Sequence, residues 1–147
     1  MGKVPELKDH KKNFDHKSFS EFVKQTKLKE IYLTDLVVEL KKRNFLNPKV
    51  AVQLRYKTHL EGKTFIVSYI LDLKVRDGKT VPLKIKVTYQ LEYDTTFTDP
   101  PEEFLEKYSD VSSKMQVWPY FREIVSNLIS RMGLPPMTLP VISFIPE

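Results

Sequence analysis

The chain has 147 residues, a formal net charge of +5 and 41% hydrophobic residues, which is the size and composition of one ordered globular domain. It contains no cysteine, which excludes thiol catalysis, iron–sulfur clusters, cysteine zinc sites and a disulfide framework. The start of the chain lacks the apolar stretch of a signal peptide, and no apolar run approaches the roughly 20 residues of a membrane span.

The N-terminal part of the chain predicts one short helix. Residues 1–17 begin with a Lys-rich stretch and are expected to be flexible. Ser18 and Glu21 have the spacing of a capping box, in which a hydroxyl and a carboxylate bind the free N–H groups at a helix start. Apolar residues follow at helical spacing, so a helix is predicted over 18–27.

The next segments predict a sheet over residues 28–94. Leu28 to Leu40 is ambiguous in its periodicity, but its β-branched and aromatic content favours a strand with both faces partly buried. Three further runs, at 50–60, 65–75 and 81–93, alternate strictly between apolar and polar residues and are separated by turn sequences. Such alternation is typical of an antiparallel meander with one buried and one solvated face.

Helices are predicted again over residues 99–133. Asp99 is expected to cap a helix that starts at Pro100, and a longer helix is predicted to start at Pro119 and to stop at Gly133. Its apolar stripe contains Phe121, Ile124, Val125, Leu128, Ile129 and Met132.

The Pro-rich residues 134–147 are expected to form an extended tail. The predicted fold class is therefore α+β, a four-stranded antiparallel sheet with helices packed on one face, and 1–147 form a single domain.

Catalytic chemistry finds little support in the sequence. The three histidines, His10, His16 and His59, lie at no metal-ligand spacing and are interpreted as solvated side chains. The acidic residues at 99, 102 and 103 fit the start of a helix, and no P-loop, dinucleotide-binding or hydrolase motif is present. We therefore predict a protein that is not an enzyme and that has no catalytic residue, no metal site and no cofactor.

Basic residues follow the polar parity of the predicted strands and therefore share one face of the sheet. Such a face is able to contact phosphates, which makes a nucleic-acid-binding module the alternative function. Acidic residues interrupt it, however, and no aromatic residues lie between the cations, so a solvated face is the favoured interpretation. The cations are Arg55, Lys57, Lys74, Arg76, Lys84 and Lys86.

More apolar residues are present than one short sheet and one long helix are expected to cover. Phe45 and Leu46 lie in the middle of a charged connection, KKRNFLNPK, and further apolar residues surround Trp118 and Tyr120. The tail adds Leu134, Met137, Leu139, Val141, Ile142, Phe144 and Ile145. Either the loop and tail pack within the chain, or oligomerisation or the binding of other chains buries these residues.

The segment Trp118-Pro119-Tyr120-Phe121-Arg122-Glu123 and its continuation resemble the C-terminal signature of the SecB family of protein-export chaperones. That signature has an F/Y-P-Y-x-R-E helix start and a later F/L-P-x-x-x-L segment, which Pro119, Tyr120, Arg122, Glu123, Pro135 and Leu139 match. The order of the predicted elements also agrees with the family's Greek-key sheet. The helix before the first strand and the doubled proline at 135–136 are more similar to the SecB-like chaperones of toxin–antitoxin–chaperone systems.

The resemblance implies an ATP-independent holdase that binds unfolded polypeptides, either exported precursors or an antitoxin, in the bacterial cytoplasm. It implies a homo-oligomer, a dimer of dimers, with no membrane association. Export members dock on the translocase motor through carboxylates of the sheet face, whereas the cations predicted here do not favour that docking. The residues expected to bind the client are Phe45, Leu46, Trp118, Tyr120, Phe121, Ile124 and Leu128.

Overall fold

The computed structural model describes residues 14–137 and 139, which form an antiparallel sheet with helices on one face. In chain order the elements are α1 (His16–Lys24), β1 (Thr26–Leu40), β2 (Pro48–Glu61), β3 (Thr64–Asp77), β4 (Thr80–Thr95), α2 (Glu102–Tyr108), a π-helical turn (Ser109–Ser113) and α3 (Lys114–Arg131). The predicted α+β class and four strands are confirmed. Most of the N-terminal stretch predicted to be flexible, and most of the predicted extended tail, lie outside the described residues.

The strand order is β1-β4-β3-β2, so the connection between β1 and β2 crosses from one edge of the sheet to the other. The other two connections are two-residue hairpin turns, where Gly62 and Gly78 adopt φ values of 62° and 65°. This left-handed conformation is open to glycine at low cost, which explains why both turns contain one. The crossover connection, residues 41–47, is therefore the long connection of a Greek key.

Strand β1 contains two irregularities that explain its ambiguous periodicity. Its register with β4 shifts between Leu28 and Glu30 and again between Leu33 and Asp35, so Lys29 and Thr34 are extra residues. Each bulge moves the following side chains to the opposite parity. Apolar residues on the helix-bearing face therefore recur at a mixture of two- and three-residue spacings, at Leu28, Ile31, Leu33, Leu36, Val38 and Leu40.

The core lies between α3 and the two central strands. The apolar odd-numbered side chains of β3 from Phe65 to Val75, and of β4 from Leu83 to Tyr93, are at most 8% exposed. From α3 they are covered by Val117, Trp118, Phe121, Val125 and Ile129. At the end of the sheet nearest α1, an aromatic cluster closes the core and is formed by Phe22, Phe65, Tyr93, Phe104 and Tyr108.

The predicted start of the first helix was wrong by a few residues. Asp15, not Ser18, is the N-cap residue, and its carboxylate accepts a hydrogen bond of 3.0 Å from the Ser18 backbone N–H. Asp and Ser are equally good caps, so the sequence pattern alone does not choose between them. The hydrogen bonds from Ser18 hold the pKa of Asp15 below its usual range.

The predicted starts of the two later helices were also wrong. Pro101 occupies the N-cap position of α2, while Asp99 adopts φ 47° and makes no cap. Pro119 lies inside α3, whose first residue is Lys114. A proline inside a helix loses one N–H bond and crowds the carbonyl four residues back. The burial of the adjacent Trp118 and of Phe121 in the core offsets that cost and keeps the segment helical.

The crossover connection is held to the sheet by Asp77, at the end of β3. Its carboxylate oxygens accept hydrogen bonds of 2.9 Å from the backbone N–H groups of Leu46 and Asn47, and Lys42 Nζ lies 3.8 Å from it. The side chain is only 6% exposed. The two backbone donors, with a smaller contribution from Lys42, lower the pKa of Asp77 below its ordinary value of 3.8. The ionised carboxylate thus fixes the position of Phe45 and Leu46.

Replacement of the Asp77 carboxylate should change how the free energy of unfolding depends on pH. Because the folded state has the lower pKa, the stabilisation from Asp77 is complete above pH 3.8 and is lost as the pH falls below that value. Asp77→Asn should therefore unfold at a lower urea concentration than the wild type at pH 7, and the difference should shrink progressively as the pH falls below 3.8. The exposed Asp35→Asn is the control. A gap between wild type and Asp77→Asn that stays constant with pH would contradict this account.

Candidate functional site

An apolar cavity of 540 Å³ lies between the crossover connection and the segment that follows α3. Its lining residues are Arg43, Asn44, Phe45, Pro48, Gly133, Leu134, Pro135, Pro136 and Met137. A volume of this size accommodates several apolar side chains of another molecule. The cavity is thus a candidate binding feature formed by the described residues.

Gly133 and Arg43 join the two walls of the cavity. Arg43 Nη2 donates a hydrogen bond of 3.2 Å to the Gly133 carbonyl. Gly133 has φ 69°, and a Cβ built at this position would lie 2.5 Å from the same guanidinium nitrogen. The backbone N–H groups of Gly133 and Leu134 also bond to the carbonyls of Ser130 and Ile129, which terminates α3. The left-handed conformation favours glycine at this position, and a larger residue would also displace the end of the Arg43 side chain.

Partly exposed apolar side chains also lie on the helix-bearing face of the two outer strands. On β2, Val50 and Val52 point to the helix-bearing face, opposite Val75 and Leu73, yet remain 43% and 37% exposed. On β1, the side chains of the same face form a strip in which Leu28, Leu33, Leu36 and Val38 are 37–42% exposed. We call these the β2 strip and the β1 strip. They flank α3 on either side.

The residues predicted to bind a client fall into three environments. Phe45 lines the cavity, and Leu46, in the same connection, is 90% exposed. Tyr120, on α3, is 45% exposed and packs edge-on against Tyr89 at 5.7 Å between ring centroids. Ile124 and Leu128 are half-buried, whereas Trp118 and Phe121 belong to the core at 7% and 0% exposure. The seven residues therefore do not form one continuous surface, and a binding role for them stays a prediction.

Sequence reasoning missed the two strips and Pro48. Leu134 and Met137, which line the cavity, belong to the apolar tail, for which the sequence left open packing within the chain, oligomerisation and the binding of other chains. The period-2 pattern of Val50 and Val52 is the same as that of a covered strand, so it carries no signal of exposure. In β1 the spacing of the apolar residues was ambiguous between a strand and a helix, so it predicted neither the bulges nor an exposed edge.

Arg122 ties the segment after α3 back onto the helix. Its Nε donates a hydrogen bond of 3.0 Å to the carbonyl of Leu139, whose side chain is 3% exposed. Arg122 therefore binds the segment that follows α3. Together with Leu134, which is 7% exposed, this contact fixes one wall of the cavity.

The buried hydroxyls act as structural donors and acceptors. Tyr93 Oη lies 2.8 Å from Ser113 Oγ in the aromatic cluster. Burial raises the pKa of Tyr93 well above the ordinary value, so this hydroxyl stays protonated.

Across the described residues, no three His, Cys, Asp or Glu side chains come together as a metal-binding group. None of the described helices is long and apolar enough to span a bilayer.

The family model described as preprotein translocase subunit SecB matches residues 20–146, which include the sheet, all of α2 and α3 and the cavity. The chain belongs to the SecB family. The predicted resemblance is thereby confirmed over nearly the whole chain, not only over the C-terminal signature on which it was first seen.

Individual relatives are similar over shorter or more diverged stretches. The SecB-like chaperones Rv1957 and MT2006 of two Mycobacterium tuberculosis strains are each 30% identical over 70 residues, or 48% of this chain. The aligned part spans only 39% of the length of either relative. The solved structure of Rv1957 in complex with a ChAD peptide from the HigA1 antitoxin superimposes with a TM-score of 0.79 at 20% identity, covering 88% of this chain and 99% of that one. This last similarity establishes the fold.

Loss of the Arg122 contact should loosen the cavity wall. Arg122→Ala removes a hydrogen bond from a charged donor to a half-buried carbonyl, so the free energy of unfolding should fall by about 1.5–3 kcal/mol in urea titrations. Arg131→Ala, an exposed arginine of the same helix, should change it by about 0.5 kcal/mol or less. Weaker polypeptide binding by Arg122→Ala with unchanged stability and mass would contradict the structural role.

Proposed function

We propose that this protein is an ATP-independent holdase chaperone, not an enzyme, that holds unfolded or non-native polypeptides in the bacterial cytoplasm. The observation that supports this most strongly is the apolar cavity, whose lining residue Pro48 lies on the same strand and the same face as the β2 strip. A holdase needs no catalytic group and no nucleotide. It needs apolar surface that an extended chain is able to cover and leave again.

The chemistry of the surface fits a client of low sequence specificity. Phe45, Pro48, Val50, Leu134 and Met137 offer aromatic, branched and flexible apolar contacts and few directional groups. Methionine and proline side chains adapt to ligands of different shapes. The occupant of this surface is therefore an apolar polypeptide segment, with an exported precursor or an antitoxin as its source. The relative Rv1957, solved with an antitoxin peptide, supports the second source.

The alternative of a nucleic-acid-binding module receives no support from the family. Docking to the translocase motor is not part of the proposal either, since the outer face of the sheet carries the exposed cations Arg55, Lys57, Lys84 and Lys86. The matching family model concerns the export chaperone, whereas the similar solved protein is a toxin–antitoxin chaperone.

The β1 strip supports an oligomer. In the isolated chain this 15-residue edge strand leaves its apolar side chains largely exposed along its length, which is costly for a soluble protein. A second copy that packs on β1, with further contacts through α1 and α3, would cover them. We propose a dimer of dimers built in this way.

Mass measurement tests the assembly. Light scattering at micromolar concentration should give a multiple of 17.3 kDa, and a tetramer on this proposal. Leu33→Lys with Leu36→Lys should lower the mass because the strip then repels its copy. Val37→Lys, on the opposite face of the same strand, is the matched control and should change the mass less. A stable wild-type monomer would refute the proposal.

Client binding should depend on the crossover connection. Phe45→Ser with Leu46→Ser removes apolar contact area from an exposed segment, so each side chain should cost at most about 1.5–3 kcal/mol of binding to a denatured client. The measurement is suppression of light scattering from the aggregating client, together with a peptide affinity. Val37→Ser, which removes an apolar side chain that is 53% exposed on the other face of the sheet, is the control.

Two outcomes of that experiment decide between sites. If the double variant loses protection while its melting temperature and mass are kept, the connection is a wall of the groove. If it protects the client as well as wild type does, the binding surface lies elsewhere, and the segment from Leu134 becomes the better candidate.

A further inference from the structure

A cluster of exposed cations lies at the same end of the molecule as the cavity. These cations are on the outer parity of β2, β3 and β4 or in the turn between β3 and β4. Lys49 pairs with Arg76 across neighbouring strands, and Lys74 lies directly opposite Lys84. We call this cluster the basic end; its members are Lys49, Lys74, Arg76, Lys79, Lys84 and Lys86.

The acidic residues nearest to the basic end are already engaged. Asp77 accepts two backbone hydrogen bonds, Asp72 forms a 2.7 Å ion pair with Arg55, and Glu39 lies 3.3 Å from Lys41 Nζ. Within the described residues, no ion pair reaches any of the six cations of the basic end. Like charges directly opposite each other on a sheet are unfavourable. Glu39 lies opposite Lys84 and Asp72 opposite Lys86, but the cations outnumber these carboxylates, so this end carries a net positive charge.

The opposite end of the same face is acidic. Glu30 lies directly opposite Glu92 on neighbouring strands, and Asp94 and Glu61 follow toward the last strand pairs, where Lys27 is the cation opposite Asp94. The outer face thus changes sign along the strands. The described strand residues place one tyrosine on it, Tyr32, beside the acidic pair.

The basic end and the cavity are separated by a short distance along the backbone. Pro48 lines the cavity, and Lys49, its neighbour in sequence, lies on the outer face. Lys74 is three residues along β3 from Asp77, the partner of Pro48, which is about 10 Å of strand. Since β2 is an edge strand, a chain that leaves the cavity past Pro48 has to pass only one strand to reach these cations.

We propose that the basic end selects clients in which the apolar segment that fills the cavity is flanked by acidic residues. This inference rests on the proposed function and adds to it the class of polypeptide that is preferred. Charged residues beside a binding site raise the association rate and discriminate between partners more than they add to affinity. Segments flanked by lysine or arginine are rejected because they meet like charge at the edge of the cavity.

A polypeptide fits the charge pattern better than a nucleic acid does. A polyanion laid along the strands would leave the basic end after about half a strand, roughly 24 Å, and then meet Glu30 and Glu92. The basic end also offers no aromatic ring for base stacking. A short acidic flank avoids both difficulties.

Three peptides with one apolar core, flanked by three glutamates, three serines or three lysines, test the inference on the wild-type protein. At about 50 mM salt the glutamate peptide should bind about tenfold more tightly than the serine peptide, since each exposed pair contributes a factor of about 1.4–5. The lysine peptide should bind most weakly. At about 0.5 M salt the three affinities should converge because the charges are screened.

Charge reversal localises the effect. Lys49→Glu with Arg76→Glu lowers the charge of the basic end by four and should remove most of the difference between the glutamate and lysine peptides, while the serine peptide should bind as before. Lys27→Glu with Lys63→Glu makes the same charge change at the acidic end of the sheet and should keep the wild-type order. Melting temperature and mass show whether each variant is folded. The salt titration uses only the wild-type protein, so its result does not depend on how the variants fold.

The outcomes separate this inference from the proposed function. If the serine peptide binds and the flanks make no difference, the inference is wrong and the holdase stands. If no peptide binds and a denatured client is not protected, both are wrong. A uridine oligonucleotide that displaces the glutamate peptide at lower concentration than the peptide's own dissociation constant would assign the basic end to nucleic acid and overturn the proposal.

Discussion

The width of one helix compared with the width of the sheet determines most of what is exposed in this protein. A helix with its side chains is about 10 Å across, while strands lie about 4.8 Å apart, so one helix covers about two strands. Here α3 lies over β3 and β4, and their apolar side chains are buried. The outer strands β1 and β2 keep partly exposed apolar side chains on the same face, outside the two strands that α3 covers.

The short elements close only one end of this arrangement. Helices α1 and α2 contribute Phe22, Phe104 and Tyr108 to the aromatic cluster at the end where β1 begins. At the other end the crossover connection and the segment after α3 lie apart, and the cavity remains between them. The Asp77 carboxylate and the Arg43 guanidinium hold these two segments by hydrogen bonds to backbone atoms, which leaves their apolar side chains uncovered.

The three strands of the meander could be predicted to within two residues at each end because one-sided burial gives an unmistakable alternation. Strand β1 was harder to predict, because the bulges at Lys29 and Thr34 produce a spacing of apolar residues that a helix also satisfies. Pro119 was misleading for another reason. Its local preference for a helix start was overridden by the burial of Trp118 and Phe121, which depends on the sheet and is not visible in the local sequence.

Within the candidate site, only residues that are unusual for their sequence neighbourhood could be predicted. Phe45 and Leu46 stand out because apolar residues are unusual in a connection rich in lysine, arginine and asparagine. Val50, Val52 and the β1 strip do not stand out, because a covered strand and an uncovered strand have the same pattern. Exposure of these residues is a property of the number and position of the helices, which only the assembled fold determines.

The same geometry sets a conflict between stability and binding in this chain. A longer or additional helix over β2 would bury Val50 and Val52 and contribute about 25 cal/mol for each Å² of apolar surface removed from water. It would also close the route from the cavity to the edge of the sheet. The exposed surface must then be kept soluble in another way, and charge is the means available to a chain with 29% charged residues. The six cations of the basic end lie next to the open cavity, where repulsion between copies opposes aggregation through its apolar lining. A bound acidic flank would neutralise that repulsion only when the cavity is occupied, so the charge that protects the empty protein would also favour the loaded one.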